Sequence, residues 1–294
     1  MLVVVIPTKN RRALLERALG SIWAQTYPDY RVVVINDGST DGTREYLDAL
    51  SNPRIQVVHH ERSRGVNTAR NVGLRTLKEG EWALLIDDDE MFFPNAFEVI
   101  AKNIAEVPSD VQVLSFNTVM RGVGGDYPGG YRFAEEQKYY EPRYNAFMTD
   151  IGLDMYANSE NRAAFKWTLF PKYLAREDIN GFEREMWIKL SHDGIRIRYV
   201  PPVTVLIDIG HTGEHLSYTA SARNPHSFAR AHWRILTYHH TFYAEHPRYA
   251  KREALHSFKV AVRALAPFLA LYFLFEYLRA SIRSLYIKDS KSEL

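Results

Sequence analysis

Up to about residue 120 the chain alternates short unbroken apolar runs with longer stretches whose apolar residues recur every three to four positions. Leu2 to Ile6 is such a run and predicts a strand buried on both faces. Leu14, Leu15, Ala18, Leu19 and Ile22 follow at helical spacing and predict a helix running to Gln25. The alternation then repeats, with strands over Arg31–Ile35, Ile55–Val58 and Trp82–Ile86 and a helix over Asn67–Leu77. Asn36 to Thr43 is a polar loop rich in helix-capping residues. Strands separated by helices predict right-handed crossovers, a parallel sheet covered by helices on both faces, and strand-end loops that meet on one rim.

From residue 109 the pattern changes. Val111 to Val119 predicts another strand, and Arg121 to Gly130, with five glycines and Pro128, predicts a mobile loop. Residues 131–170 are rich in Tyr, Phe and charge, have no clean period, and predict no element. Arg184–Leu190 reads as a helix and Ile195–Val200 as a strand that Pro201-Pro202 breaks. Beyond Gly213 the composition turns aromatic, basic and histidine-rich, and residues 217–285 predict two or three helices. The expected organisation is a domain over residues 1–215, with halves 1–108 and 109–215, followed by a helical region over 216–294.

In that last region Ala264 to Phe275 is wholly apolar, bounded by Arg263 and Glu276. It is shorter than the ~20 residues a membrane span needs. Arg279, Arg283, Lys288 and Lys291 follow, so residues 264–291 fit an interfacial helix on an anionic membrane. They fit equally a helix packed on the rest of the chain or on a partner subunit, and both readings stay open.

Composition narrows the classes. Apolar residues at 46% and charged residues at 24% are ordinary globular values. A net charge of +2, from 37 basic and 35 acidic residues, is no footprint for nucleic acid. With no cysteine, disulfides, thiolate catalysis and Cys-based zinc sites are excluded. The leading apolar run lacks a basic segment before it and is too short for a signal peptide, so the expectation is a cytoplasmic protein, one that could work at the inner face of the membrane. No G-x-G-x-x-G or P-loop pattern is present, which argues against a dinucleotide enzyme or an NTPase.

The chemistry concentrates where Leu84-Leu85-Ile86 runs into Asp87-Asp88-Asp89-Glu90. Carboxylates this close repel and call for a positive partner, and oxygen-only ligands suit Mg²⁺ or Mn²⁺. Taken alone, the cluster fits a solvated acidic turn as well, or the start of a helix between Glu90 and Pro94.

Three further rim loops change that balance. Pro7-Thr8-Lys9-Asn10-Arg11 follows the first strand, Asn36-Asp37-Gly38-Ser39-Thr40-Asp41 the second, and Gly65-Val66-Asn67-Thr68-Ala69-Arg70-Asn71-Val72-Gly73 leads into the helix before the fourth. In this order, with the aspartate cluster, the chain resembles the family 2 glycosyltransferases of the GT-A fold, densely over about the first hundred residues and loosely over the next hundred. The resemblance implies a Rossmann-like nucleotide-diphospho-sugar transferase fold, with a mixed, mainly parallel sheet flanked by helices. It implies an inverting transfer from a nucleotide-sugar, with a UDP-sugar the first candidate, to a saccharide or lipid-linked acceptor.

Each motif residue then has an implied role. Asp37 would accept from the nucleotide base, with Pro7 and Thr8 giving backbone contacts and Asn10 completing the motif. Arg70 would meet the nucleotide's negative charge, or pair with Asp87 or Asp88. Asp87 or Asp88 would meet the ribose, Asp89 would bind the metal with Asp87, and His211 would complete the metal shell, with His215 as its rival. The implied Mn²⁺ or Mg²⁺ would stabilise charge on the departing diphosphate. For the base, the helix register at Met186-Trp187-Ile188-Lys189-Leu190 and Gly194 selects Glu183, whereas the literal Glu177-Asp178 pair selects Asp178. Glu183 and Glu185 could equally be the acidic first turn of a helix. Phe165, Trp167, Tyr139, Tyr140 and Tyr144 could stack on acceptor sugars or pack in the core. The competing functions are a noncatalytic sugar-nucleotide or glycan-binding subunit of a polysaccharide synthesis complex, and a metal-dependent phosphohydrolase.

Overall fold

The computed structural model describes residues 1–122, 124–129, 162–179, 184–210 and 225–286. Glu183, His211, His215, Tyr139, Tyr140 and Tyr144 lie outside the described residues. The chain divides into two compact units, Met1–Gly213 and Glu214–Leu294.

The first unit is built on a nine-stranded sheet in the order β3-β2-β1-β4-β8-β6-β9-β5, with β7 paired to β6. Its parallel half comprises β1 (Leu2–Thr8), β2 (Tyr30–Asp37), β3 (Ile55–His60) and β4 (Trp82–Leu85). Every residue of β1 is buried, as the unbroken apolar run requires of a strand covered on both faces. Leu2, Val4 and Ile6 pack on one side with Leu15, Leu19 and Ile22 of α1 (Arg12–Trp23). Val3 and Val5 pack on the other with Ala69 of α3 (Val66–Leu74). Gly73 makes that second contact possible, because a Cβ there would lie 2.3 Å from Val5 Cγ1 and 2.9 Å from Ile35 Cδ1. Between these helices in sequence comes α2 (Thr43–Asp48), after β2.

Beyond β4 the sheet becomes mixed. β6 (Val111–Gly122) and β9 (Arg196–Asp208) run parallel, while β8 (Arg162–Lys166) lies antiparallel between β4 and β6. β5 (Glu90–Phe92) pairs antiparallel with the end of β9, and α4 (Ala96–Ala105) follows it. The strand β5 therefore stands where a helix start at Glu90 was one expectation. α5 (Arg184–His192) packs Met186 and Leu190 against Ala83, Val113 and Phe165.

Three sequence expectations are corrected. The glycine-rich segment after Met120 is a hairpin, with β7 (Gly125–Gly129) paired to the end of β6 from Thr118↔Gly129 to Gly122↔Gly125. Pro201-Pro202 does not end its strand. Val200 pairs with Phe116 and Val203 with Asn117, so both prolines stand in an irregularity of the ladder, where the missing N–H groups cost little, and Asn117 Nδ2 donates to Pro201 O at 2.6 Å. In the stretch expected to hold two or three helices, the described residues of the second unit form four: α6 (Pro225–Tyr238), α7 (His240–Glu245), α8 (Pro247–Arg263) and α9 (Pro267–Tyr286). No helix among the described residues is long and apolar enough to cross a membrane.

Candidate active site

The carboxyl ends of β1, β2 and β4 bring the first three motifs together. Asn10, at φ 53°, sits in the left-handed region that asparagine tolerates; its Oδ1 accepts from Thr40 N at 2.7 Å and its N donates to Ser39 Oγ at 2.9 Å. The loops after β1 and β2 are thus tied to one another. Pro7 is buried at the end of β1, and Thr8 Oγ1 donates to Asp88 at 2.7 Å.

Asp37 is 4% exposed and faces the loop after β3. His60 Nδ1 and the N–H of Arg64 donate to one oxygen at 2.7 and 2.8 Å, and Ser63 Oγ and the N–H of Gly65 to the other at 2.7 and 2.9 Å. Burial pushes its pKa up, but these four bonds hold the carboxyl below its usual range. Gly38, at φ 72°, permits the close approach, since a Cβ would lie 2.6 Å from Ser63 N.

β4 stops at Leu85 and the chain turns through Asp87-Asp88-Asp89 into β5. Among the described residues the cluster's positive partners include three arginines from three parts of the chain. Arg70 on α3 donates to Asp87 at 2.5 Å. Arg11 donates to Asp88 at 2.9 Å and to Asp89 at 3.1 Å. Arg162, at the start of antiparallel β8, forks onto Glu90. Repulsion among the acids is thereby relieved by the protein itself. The Asp87 carboxyl sits below its usual range: packing pushes it up, and Arg70 and then Arg162 outweigh this. Burial pushes Asp88 and Glu90 up to about 7 against the pull of Arg11 and Arg162.

A divalent cation fits this arrangement. Asp87, Asp89 and Glu90 each offer a carboxylate oxygen, all within 4.8 Å of one another. Asp87 and Asp89 have side chains 37% and 15% exposed, whereas Glu90 is buried in its fork with Arg162. Asp88 is turned away onto Thr8 and Arg11. The end of β9 joins the cluster from the far side: Asp208 N donates to Asp89 O at 3.3 Å, and Arg17 donates to the Asp208 carboxylate at 2.5 Å.

α3 also fixes the loop before α5. Asn71 accepts from Ala175 N at 3.0 Å and donates to Ala175 O at 2.7 Å. Asn67 Nδ2 donates to Arg176 O and Ile179 O. Arg75 and Asn71 donate to Glu177 at 2.9 and 3.1 Å, and Asp178 takes a two-pronged bond from Arg176 at 3.0 and 3.1 Å. Between this loop and the acids lies a cleft lined by Asn67, Arg70, Asp87, Arg162 and Trp187. Asn67 Oδ1 is buried without a hydrogen-bond partner beside it, an acceptor fit for a ligand hydroxyl or amide.

Sequence reasoning gave no role to Arg11, Arg162, Asp208 and Asn67. Arg11 and Asn67 stand within the rim loops and Asp208 heads the His211 segment, which are local signals; Arg162 reaches the cluster only through the sheet. Phe165 is 3% exposed and packs on Trp187 at 5.5 Å between ring centroids, so it is a core residue rather than a stacking face. Glu185 is buried in the first turn of α5, 3.0 Å from Lys189.

Comparison with known proteins bears on this rim. The model of a family described as glycosyl transferase family 2 matches residues 3–159. Glycosyltransferase GlyG of Streptococcus pneumoniae is 29% identical over 129 residues, so the match takes in 43% of this chain and 42% of that protein. A UDP-Glc:alpha-D-GlcNAc-diphosphoundecaprenol beta-1,3-glucosyltransferase, WfgD of Escherichia coli, is 23% identical over 195 residues, 65% of this chain and 69% of that one. Among solved structures, S. aureus TarS 1-349 in complex with UDP-GlcNAc superposes with a TM-score of 0.62 at 17% identity, covering 95% of this chain and 88% of that one. The mannosyltransferase PcManGT from Pyrobaculum calidifontis, in complex with GDP-Man and Mn²⁺, superposes with a TM-score of 0.53 at 20% identity, covering 98% and 88%. These likenesses identify the mixed sheet as the GT-A fold. Because the rim motifs stand in order on that fold and the family model takes in more than half of the sequence, the chain belongs to glycosyl transferase family 2.

Proposed function

We propose that the protein transfers a sugar, with inversion, from a nucleotide-diphosphate-sugar to a hydroxyl of a glycan or lipid-linked acceptor. The observation that carries this reading is the meeting of Asp87, Asp89 and Glu90 oxygens within 4.8 Å on the rim that also gathers the Pro7–Asn10 and Asp37–Asp41 loops. A UDP-sugar is the favoured donor, in keeping with the UDP-Glc and UDP-GlcNAc in the names of WfgD and the TarS complex. A lipid-linked acceptor follows the diphosphoundecaprenol in the name of WfgD.

Asp87 and Asp89 hold Mn²⁺ or Mg²⁺, with His211 completing the shell from the segment that follows Asp208. When bound, the cation stabilises the charge that builds on the diphosphate. Pro7, Thr8 and Asn10 shape the nucleotide pocket, Asp37 through the loop it anchors, and Asp88 fixes Arg11 beside the acids. Arg70, which now faces Asp87, supplies positive charge toward the nucleotide. Asn67 Oδ1 takes a hydrogen bond from the bound substrate. A carboxylate of the 178–183 segment removes the proton from the acceptor hydroxyl as it attacks the anomeric carbon from the side opposite the leaving diphosphate, which inverts the configuration. Glu183 holds that place in the register of α5, and Asp178 in the literal Glu-Asp pair. The domain over residues 1–215 is the catalytic one, with the donor bound by residues 1–108 and the acceptor by 109–215.

The test is a panel of UDP-, GDP- and dTDP-sugars incubated with the protein and Mn²⁺, read for transfer or donor hydrolysis. Turnover of one nucleotide-sugar is expected, with Glu183→Gln abolishing transfer and leaving metal-dependent donor binding intact. Donor binding with no turnover in any pair would make the protein a binding subunit and overturn the catalytic reading. Loss on Asp178→Asn with full activity in Glu183→Gln would move the base to Asp178.

A further inference from the structure

The helical unit carries a surface that the transfer chemistry does not use. Along α9, Phe268, Leu271, Phe275, Leu278 and Ile282 are 86%, 64%, 61%, 52% and 57% exposed, and they recur at alternating steps of three and four. That spacing places them on one outward stripe. The opposite face is apolar too, with Phe273 and Ala280 buried, so α9 is hydrophobic on both sides although only one is covered. At the corner before α9, Leu265 stands at φ 51°, a left-handed conformation that favours glycine, with its side chain 85% exposed. A leucine held in that conformation and turned outward adds to the same exposed apolar surface.

Charge frames this surface. Lys259 and Arg263 are exposed at the end of α8, and Arg279 is exposed within α9 beside Glu276. By sequence, residues 214–294 hold 12 Lys and Arg against 6 Asp and Glu, net +6, while residues 1–213 hold 25 against 29, net −4. A seam for a second helix would carry charged residues at its flanks to fix pairing. The flanking positions along this stripe are Tyr272, Leu274, Arg279 and Ser281, one charge among four, and exposed Leu274 widens the apolar face. A broad apolar face, basic residues at its margins and an apolar run that Glu276, Arg279 and Arg283 cut short of a span are the attributes of a helix lying in a membrane interface.

We propose that the outward face of α9, with Leu265 and the basic end of α8, docks the protein on the surface of an anionic lipid bilayer. Binding combines burial of the stripe among acyl chains with attraction of Lys259, Arg263 and Arg279 to acidic headgroups. It requires neither nucleotide-sugar nor metal, so it stands apart from the transferase reading.

Co-sedimentation of the full chain with vesicles of phosphatidylcholine alone, and of phosphatidylcholine mixed with phosphatidylglycerol, tests this, with analytical ultracentrifugation of the protein alone beside it. The protein is expected to pellet with the mixed vesicles and far less with the neutral ones. Phe268→Ser, Leu271→Ser and Phe275→Ser together, all at exposed positions, should weaken that binding about tenfold or more at unchanged helix content. Lys259→Glu with Arg263→Glu should remove the preference for anionic vesicles. A wild-type protein that stays in the supernatant with both vesicles overturns the proposal. So does a dimer that the triple substitution splits while vesicles bind neither form, which would assign the stripe to a second copy of the chain.

Discussion

Asn71 and Ala175, 104 positions apart, are joined by a pair of hydrogen bonds in opposite directions, at 3.0 Å into the asparagine carbonyl and 2.7 Å out of its amide. The asparagine that follows Arg70 is therefore the anchor of the loop that carries Glu177 and Asp178. Asn71→Ala should lower kcat for transfer by at least about tenfold while the donor's Kd changes much less, because it leaves two partly buried backbone groups unpaired and loosens the loop rather than the nucleotide pocket. Steady-state kinetics beside calorimetric donor binding measures the split; equal losses in both would assign Asn71 to general stability.

Arg162 is the counter-charge to a glutamate only 1% exposed. Arg162→Met should destabilise the protein by about 3–5 kcal/mol at pH 8, where Glu90 paired with Arg162 is ionised, since it strands a buried carboxylate. Urea unfolding should show part of that loss recovered at pH 5, where Glu90 takes up a proton. Equal destabilisation at both pH values would count against the ion pair as its cause.

Asp88 gives the metal-free protein a pH signature. Its carboxyl is raised to about 7 in the folded chain, so between the unfolded value near ~4 and about 7 the folded state binds more protons than the unfolded one. Stability from this residue is present at low pH, is lost as pH rises through that window, and levels off above it. Urea unfolding in EDTA from pH 5 to 8 should show the decline, and Asp88→Asn should reduce it to the part that Glu90, raised to about 7 as well, contributes.

Cation dependence should fall on the exposed members of the cluster. Asp89→Asn and Asp87→Asn are each expected to weaken Mn²⁺-dependent donor binding by about tenfold or more, as loss of one carboxylate ligand does, and EDTA should mimic them in the wild type. Isothermal titration with and without metal reads this; donor binding indifferent to EDTA and to both substitutions would remove the cation from the site.

Gly73 tests the packing under the rim. Gly73→Ala places a methyl group against Val5 and Ile35 and should cost about 1–3 kcal/mol in thermal or urea unfolding, with overpacking as the cause. Val5→Ala in the same chain should restore part of it.

The parallel half of the sheet was legible because its strands are covered on both faces: Leu2–Ile6 and Arg31–Ile35 can be little else. β8 was not, because Arg162-Ala163-Ala164-Phe165-Lys166 has weak intrinsic strand preference and is extended by its two neighbours, β4 and β6. The glycines after Arg121 read as a loop although their backbone is paired, and Pro201-Pro202 read as a stop because the ladder irregularity that accommodates them is set by β6. In the site, the acids and the rim loops were visible as local motifs. Of their three arginine partners, Arg70 was legible as a partner of Asp87 or Asp88, whereas Arg11 and Arg162 were not, since they reach the acids only when strands far apart in sequence are laid side by side.

The double proline in β9 has a bearing on the acids as well. From Val113 to Phe116 the strand keeps one alignment with β6; it then slips by two residues at Pro201-Pro202 and by one more at Thr204, and the alignment from Val205 onward brings Asp208 to Asp89 and Arg17. Side chains alternate between faces with each residue, so deleting either proline would rotate the remainder of the strand by half a turn and swing Asp208 to the reverse side of the sheet. The prolines and the slip at Thr204 together thus work as a phase-shifter, letting one continuous strand serve the core at its beginning and the acid-bearing rim at its end.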